Sequence, residues 1–497
     1  MNVLLSLPIG LPLIGAALSI LVGRWRRAQR VIGISVLSIV AGLSLTLLLR
    51  IDRDGTAAVD AGGWPAPLGI SLVADRFSAI MLVIASLMLV SVLVYAIGQP
   101  GAERHHVGFQ SVYLILAAGV NASFLTGDLF NLFVSIEVML TASYVLITLG
   151  GRLEQVRSGM TYVVISLIAS GLFLAALAFT YSATGTVNLA DLATRIPDLP
   201  AGVRSGLAVL LLIVFGIKAA VFPLFFWLPD SYPTAPSPVT AIFAGLLTKV
   251  GVYAIIRTQT LLFPADTRPV TLLLVLAGAT MVVGVLGAIA QGDVKRILSF
   301  QIISHIGYMV MGLALFTVTG LAAAVLYMIH HMVAKTALFL TGGLIEHTGG
   351  SSRLSRLGGM VSTAPVLAVL FLVPALSLVG FPPLSGFVPK FALVDAAAAG
   401  SRYGIMAVAL VVSVLTLLSM MKIWNSVFWA PAAEPVEPAP APAGRLGGPA
   451  LMVLPTVALV VLTVAIGVAA GPLLALSDRA AADLLDPAGY IRAVLHP

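Results

Sequence analysis

Apolar stretches of about twenty residues, each long enough to cross a hydrocarbon layer of roughly 30 Å, recur along the whole chain. Read against the intervening Gly, Pro and charged residues, they predict helices near 3–22, 31–50, 77–98, 111–127, 129–149, 160–182, 205–228, 237–262, 270–290, 295–316, 319–345, 364–398, 404–429 and 450–475. No stretch alternates apolar and polar positions over a barrel strand's length, so the backbone hydrogen bonds must close within helices. The expectation is an all-α polytopic membrane protein of about fourteen transmembrane helices.

Two of these segments are interrupted from within. In the seventh, Pro223 follows an apolar run and Pro229, Pro233, Pro236 and Pro238 come soon after; the twelfth carries Pro374, Pro382, Pro383 and Pro389. The broken segments are five helices apart. If helices 4–8 and 9–13 are related units, each crosses an odd number of times, and the second enters the membrane from the opposite side. That arrangement is two inverted five-helix repeats with broken helices 7 and 12, and in transporters of this plan broken helices mark the ion site. The expected division is 1–110 for the first three helices, 111–265 and 266–430 for the two repeats, 431–449 for an extended Pro/Ala linker, and 450–497 for the last helix and tail.

Composition narrows the class. Of 497 residues, 59% are hydrophobic and 9% charged, against roughly 25% charged in a soluble domain. The absence of Cys excludes disulfides, iron–sulfur clusters and thiol chemistry. The net charge of +7 comes from scattered basic residues without a long cluster, which argues against a nucleic-acid partner. The first apolar stretch is followed, not preceded, by positive charge (Arg24, Arg26, Arg27, Arg30). This is the reverse of a signal peptide and predicts a retained first helix with its N-terminus outside a cell (inner) membrane. Lys and Arg in the alternate loops, Arg104 and Arg445 among them, lean weakly the same way.

The chemistry lies in which charges sit at depth. The chain has 21 Arg and 6 Lys, and nearly all the Arg fall in loops or at helix ends, whereas Lys218, Lys249, Lys335 and Lys390 fall inside apolar segments. Arg keeps its proton in a protein, while a desolvated Lys can release one. Glu137, in LFNLFVSIEVMLTASYVLITLG, lies about 12 Å from the start of its helix at 1.5 Å per residue, and a carboxylate there needs a cationic partner or a proton. Lys218 is at similar depth and is the natural partner. Lys249 sits in a helix expected to begin with Ser237 as cap and Pro238 at its first position, with Gly245 and Gly251 leaving room for close helix approach or water.

His331 and Lys335, four apart, share a helix face, and His330 points about 100° away. Lys390 follows LVGFPPLSGFVPK, whose prolines free carbonyls for a hydrated pocket. His305 either bridges two lysine sites, since imidazole titrates near neutrality, or makes a structural hydrogen bond. A single membrane Lys can snorkel to the interface, but four at depth point to function. Glu346 and His347, at a helix end, read as a solvated cap. No HExxH, GxGxxG, Walker-type or nucleophile-elbow pattern occurs, so no metal, nucleotide, covalent chemistry or other cofactor is expected.

In chain order, FLTGDLFNLFVSIEVMLTASYVLI, GIKAAVFPLFFWLPDSYPTAPSPVTAIFAGLLTKVGVYAIIR, LSFQIISHIGYMVMG, MIHHMVAKTALFL and GFPPLSGFVPK resemble the antiporter-like proton-translocating subunits shared by respiratory complex I and the Mrp-type multisubunit sodium/proton antiporters. The likeness spans about residues 70 to 425. It implies a proton route along the membrane midplane, with Glu137 paired to Lys218, Lys249 as the central lysine, His330, His331 and Lys335 on helix 11, and Lys390 as the terminal group. The length, without a long C-terminal extension or lateral helix, and Lys rather than Glu at position 390 are most similar to the D-type Mrp paralogue. The resemblance implies sister subunits as partners beside the lipid bilayer, and H+ as the moved ion, with passage of Na+ through this chain left open. It implies a secondary transporter subunit and not an enzyme; the alternatives are a proton-pumping membrane subunit of complex I or a membrane-bound hydrogenase, and a scaffold without transport.

Overall fold

A computed structural model describes residues 2–99, 108–431 and 447–495, and they are built almost wholly of helices. α1 (Asn2–Val22), α2 (Arg26–Asp54) and α3 (Arg76–Gly98) come first. α4 (Phe109–Leu125), α5 (Leu129–Thr148), α6 (Leu153–Thr184), α7 (Ala201–Ala219) and α8 (Ser237–Leu261) follow. Next are α9 (Val270–Ala290), α10 (Val294–Ala314), α11 (Val318–Gly349), α12 (Pro365–Val379), α13 (Phe387–Ala399) and α14 (Tyr403–Trp429). α15 (Ala450–Val468), α16 (Ala470–Leu485) and α17 (Ala488–Leu495) close the described chain. Among the described residues twelve helices are long and apolar enough to cross a membrane, and α4 and α12 are apolar but shorter. The chain is a multi-pass membrane protein. Most of the expected linker, 432–446, and the loop positions Arg104 and Arg445 lie outside the described residues.

The two interruptions fall where the prolines cluster. α7 stops at Ala220, which takes a left-handed φ of 60° and turns its N–H back onto the Gly216 and Ile217 carbonyls; a short helix, Trp227–Ser231, then resumes. α12 stops in the same way at Gly380, with φ 91° and its N–H on Leu376 and Ser377, before α13. The expected helices over 205–228 and 364–398 are therefore each two pieces. The last expected span also ends early, at Val468, and α16 starts afresh at Ala470, with Pro472 in its first turn, where a missing N–H costs no helical hydrogen bond. Between α2 and α3 the chain forms an antiparallel hairpin, β1 (Ala57–Asp60) and β2 (Ser71–Ala74), with Ala57 opposite Ala74. Four residues per strand are too few for alternation to announce them.

Several helix starts carry side-chain caps. Asp75 accepts from the Ser78 N–H, Asp128 from that of Asn131 and Asp293 from that of Arg296, each satisfying a donor the helix leaves free. Contacts of one kind recur in two places. Asp128 bridges Asn188 and Asp293 bridges Arg353 as isolated antiparallel pairs, and the two pairs are offset by the same length of chain. Gly119 of α4 lies against the Met139 backbone of α5, and Gly284 of α9 against the Ser304 backbone of α10, at that same offset. α8, α10 and α11 form the centre: their apolar windows are 94% to 100% buried, whereas those of α1, α2 and α14 are one-third buried or less.

Candidate functional site

Glu137 faces α6 and accepts a short hydrogen bond from the Ser170 hydroxyl. Lys218, on the last turn of α7, donates to the same hydroxyl at 3.2 Å and to the Ser166 carbonyl at 3.1 Å. The carboxylate and the ammonium thus meet through Ser170, which differs from the direct pairing expected from depth alone. Ser166 and Ser170 are four apart on α6, so one helix face presents both contacts to Lys218. A cavity of about 20 Å³ borders Lys218, Ser166, Trp227 and Leu247, room for one water-sized guest.

Leu247 belongs to a π-helical turn, Phe243–Leu247, inside α8. A π turn frees a backbone carbonyl from the helix ladder, and the fully buried Lys249 takes one: its Nζ donates to Ala244 O at 2.6 Å and to Thr248 Oγ1 at 3.2 Å. Gly251, as expected, allows a close crossing, since a Cβ there would lie 2.6 Å from the Ala219 backbone nitrogen. That crossing holds the end of α7 against the middle of α8 beside both lysines.

The next cluster is aromatic. Tyr327, His331 and Lys335 repeat every four residues on α11 and are all fully buried. The Tyr327 hydroxyl forms a short hydrogen bond with His305 Nδ1, and the rings of His305 and His331 are 5.1 Å apart. His305 Nε2, both His331 nitrogens and Lys335 Nζ find no hydrogen-bond partner among the described side chains and backbone. Buried polar atoms of this kind are ordinarily satisfied by water. His330 turns away, as its helix position requires, and its Nδ1 meets Ser385 Oγ at 2.8 Å in the break between α12 and α13. Ser377 extends this chain at 2.7 Å.

Lys390 lies beyond. Its Nζ is 4.8 Å from the Tyr308 ring centre and donates to Val379 O and Ser413 Oγ, both at 2.9 Å. The Val379 carbonyl is one freed by the break, so the prolines supply the acceptor and Lys390 itself satisfies it. Tyr308 stacks on Tyr327 at 5.3 Å and on His305 at 6.0 Å. The eight candidate residues accordingly fall into three neighbouring groups: Glu137 with Lys218, Lys249 alone on its π turn, and the histidines with Lys335 and Lys390. Ser170, Tyr308, Tyr327, Ser385 and Ser413 join them and escaped sequence reading, because a hydroxyl in an apolar helix carries no charge to mark it. The fourfold spacing of Tyr327, His331 and Lys335 was the available signal for one of them.

Two expectations are corrected here. α8 begins at Ser237 with Pro236 in the cap position, and the Ser237 hydroxyl makes no cap; it donates to Glu346 at 3.2 Å. Glu346 is in turn no simple solvated cap, for Lys295 Nζ is 2.5 Å from its carboxylate. One Arg is also deep: Arg257 of α8 is 4% exposed and grips Asp75 through two hydrogen-bonded contacts of 2.6 and 2.7 Å, a bidentate geometry. Burial raises the Asp75 carboxyl, but the Arg257 charge and the hydrogen bonds outweigh it and hold the group below the usual carboxylate value.

Residues 126–416 match the family model described as NADH:quinone oxidoreductase/Mrp antiporter, TM. The chain is 47% identical over its full length, and over the full length of the relative, to the D-type chain of the Na(+)/H(+) antiporter of Alkalihalophilus pseudofirmus. Among solved structures it superposes on a chain of the Mrp complex from Dietzia sp. with TM-score 0.92, 34% identity and complete coverage of both. A chain of the membrane-bound sulfane sulfur reductase, an archaeal respiratory membrane complex, gives TM-score 0.90 at 26% identity, again over both whole chains. The broken helices, the lysines at depth and these full-length likenesses agree, and the chain belongs to the NADH:quinone oxidoreductase/Mrp antiporter transmembrane family.

Proposed function

We propose that this chain is the D-type proton-translocating subunit of a multisubunit Na+/H+ antiporter in the cell membrane, with its N-terminus outside. The full-length likeness to a D-type antiporter chain at 47% identity supports the choice within the family. The recurrence of the Asp128 and Asp293 bridges and of the Gly119 and Gly284 crossings supports two five-helix repeats, 111–265 and 266–430, inverted because each crosses an odd number of times.

In this reading protons move sideways through Glu137, Ser170 and Lys218 to Lys249, then by the His331–Lys335 face and His305 with Tyr327 to His330 and Lys390. The observation that carries it is the row of buried amines and imidazoles whose polar atoms, among the described residues, meet carbonyls and hydroxyls or find no hydrogen-bond partner, with a carboxylate close by only at the Glu137 end. Ser170 joins the Glu137 carboxylate to the Lys218 ammonium, so moving Glu137 away withdraws the nearest countercharge from that lysine and favours passing its proton on. The loss is then passed along the row. The residues need no cofactor for this.

Replacing Glu137→Gln, Lys218→Ala or Lys249→Ala abolishes Na+-driven proton movement in everted vesicles while sister subunits still co-purify. Full exchange in an assembled variant refutes the relay. The likeness to the archaeal respiratory complex favours a second reading, in which redox chemistry elsewhere in the complex powers the same proton route. Purification separates them: the antiporter reading expects only membrane subunits, the redox reading expects flavin or iron–sulfur partners.

A further inference from the structure

The relay described so far runs sideways, yet a second set of polar atoms runs from it to the helix ends that carry Glu346 and Lys295. There Glu346, with a side chain 37% exposed, holds Lys295 at 2.5 Å. Its carboxylate also accepts the Ser237 hydroxyl, which no helix cap employs. Deeper, the fully buried Tyr95 of α3 donates its hydroxyl to Leu340 O at 2.9 Å. Tyr95 and Ser237 come together over Gly343 of α11: a Cβ there would collide with the Tyr95 hydroxyl and sit 2.9 Å from Ser237 Oγ. Glycine at 343 is what lets both side chains close on this point of α11.

Further in, the pattern repeats. A Cβ on Gly245 would collide first with the Met88 methyl and then with Thr336 Oγ1, the neighbour in sequence of Lys335, whose hydroxyl donates to the Met88 sulfur at 3.9 Å. Gly245 lies in the π turn whose Ala244 carbonyl receives Lys249. Two glycine notches and three hydroxyls therefore line a seam between α3, α8 and α11, with a partly exposed ion pair at one end and two relay amines at the other.

We infer that the Glu346–Lys295 pair is the mouth of a proton-access branch that passes through Ser237 and Tyr95 to the Lys249 and Lys335 amines. This rests on the lateral relay as the route the branch feeds. A proton from bulk water adds to the Glu346 carboxylate, which Lys295 holds in place beside Ser237. Each hydroxyl then accepts a proton on its oxygen and releases its own inward, so no charge stays behind, and a lysine amine receives the last. The step from Leu340 to Thr336 spans about 6 Å along α11 at 1.5 Å per residue, a distance water bridges readily.

The test uses the assembled complex in everted vesicles, with Na+-driven proton movement as the readout and co-purification of sister subunits as the control. Tyr95→Phe and Gly343→Ala each slow exchange about a hundredfold, the low end for a lost proton-transfer group, and Tyr95→Phe raises the solvent deuterium isotope effect because access becomes limiting. Lys249→Ala, in parallel, abolishes exchange. Full exchange in Tyr95→Phe beside an inactive Lys249→Ala overturns the branch and leaves the relay standing, whereas full exchange in Lys249→Ala overturns both. Should Tyr95→Phe fail to assemble, Ser237→Ala decides by the same rate criterion.

Discussion

At the scale of single residues, hydroxyls do as much as charges. Ser170 is the joint between Glu137 and Lys218, so Ser170→Ala leaves a half-buried carboxylate and a buried ammonium without their common partner. The expected outcome is a loss of exchange of about tenfold or more, with Ser170→Thr, which keeps the hydroxyl, retaining most activity; equal rates for the two variants count against the joint. Asp75 and Arg257 are a different kind of pair, buried together with Tyr490 5.3 Å over the guanidinium. Asp75→Asn breaks the pair from one side and costs about 3–5 kcal/mol, read as a lower Tm of the detergent-solubilised complex. The Asp75 carboxyl is held below its usual value in the folded chain, so its stabilising effect is present above the ordinary Asp range and is lost as pH falls through the lowered folded pKa. The gap in Tm between wild type and Asp75→Asn should close on acidification.

At the scale of elements, the close crossings fix where side chains can meet. Gly251 sets α8 against the end of α7, and that contact is what brings Lys249 and Lys218 into one region. Gly251→Ala puts a methyl 2.6 Å from the Ala219 nitrogen and costs about 1–3 kcal/mol of stability through overpacking, with exchange impaired beyond what the lower yield explains. Gly171 of α6 has nothing within 4 Å of a notional Cβ. Gly171→Ala should leave exchange unchanged and raise Tm slightly, since alanine is the better helix former by about 1 kcal/mol. If both variants behave alike, crossing distance is not what the glycines control. The breaks at Ala220 and Gly380 act at this scale too: each frees carbonyls next to a lysine-bearing segment, and at Val379 the lysine is seen to use one.

Across the whole molecule, the buried centre of α8, α10 and α11 is where the groups collect, and the outer helices carry almost none of them. A route in series makes a definite kinetic statement. Residues that act as one unit are non-additive, so Lys249→Ala and Lys390→Ala each abolish exchange alone and the double variant is no worse. Single variants that each keep a substantial rate, with exchange lost only in the double, instead identify two independent routes. Measurement of initial rates in vesicles for the four combinations decides between them.

The linear pattern determined that this chain crosses a membrane many times as helices, because twenty apolar residues have few other stable fates. It also determined which charges lie at depth: Glu137, Lys218, Lys249, Lys335 and Lys390 stand out wherever their neighbours are apolar. The interruptions were legible because proline removes a donor whatever surrounds it. What the tertiary structure alone decided is who touches whom. Ser170 joins Glu137 to Lys218, Tyr327 meets His305, Ser237 turns to Glu346, and Arg257 reaches back to Asp75 across most of the first half of the chain. Hydroxyls are common in apolar helices and gain their role only from the partner opposite, and that partner is set by helix crossings no local pattern encodes.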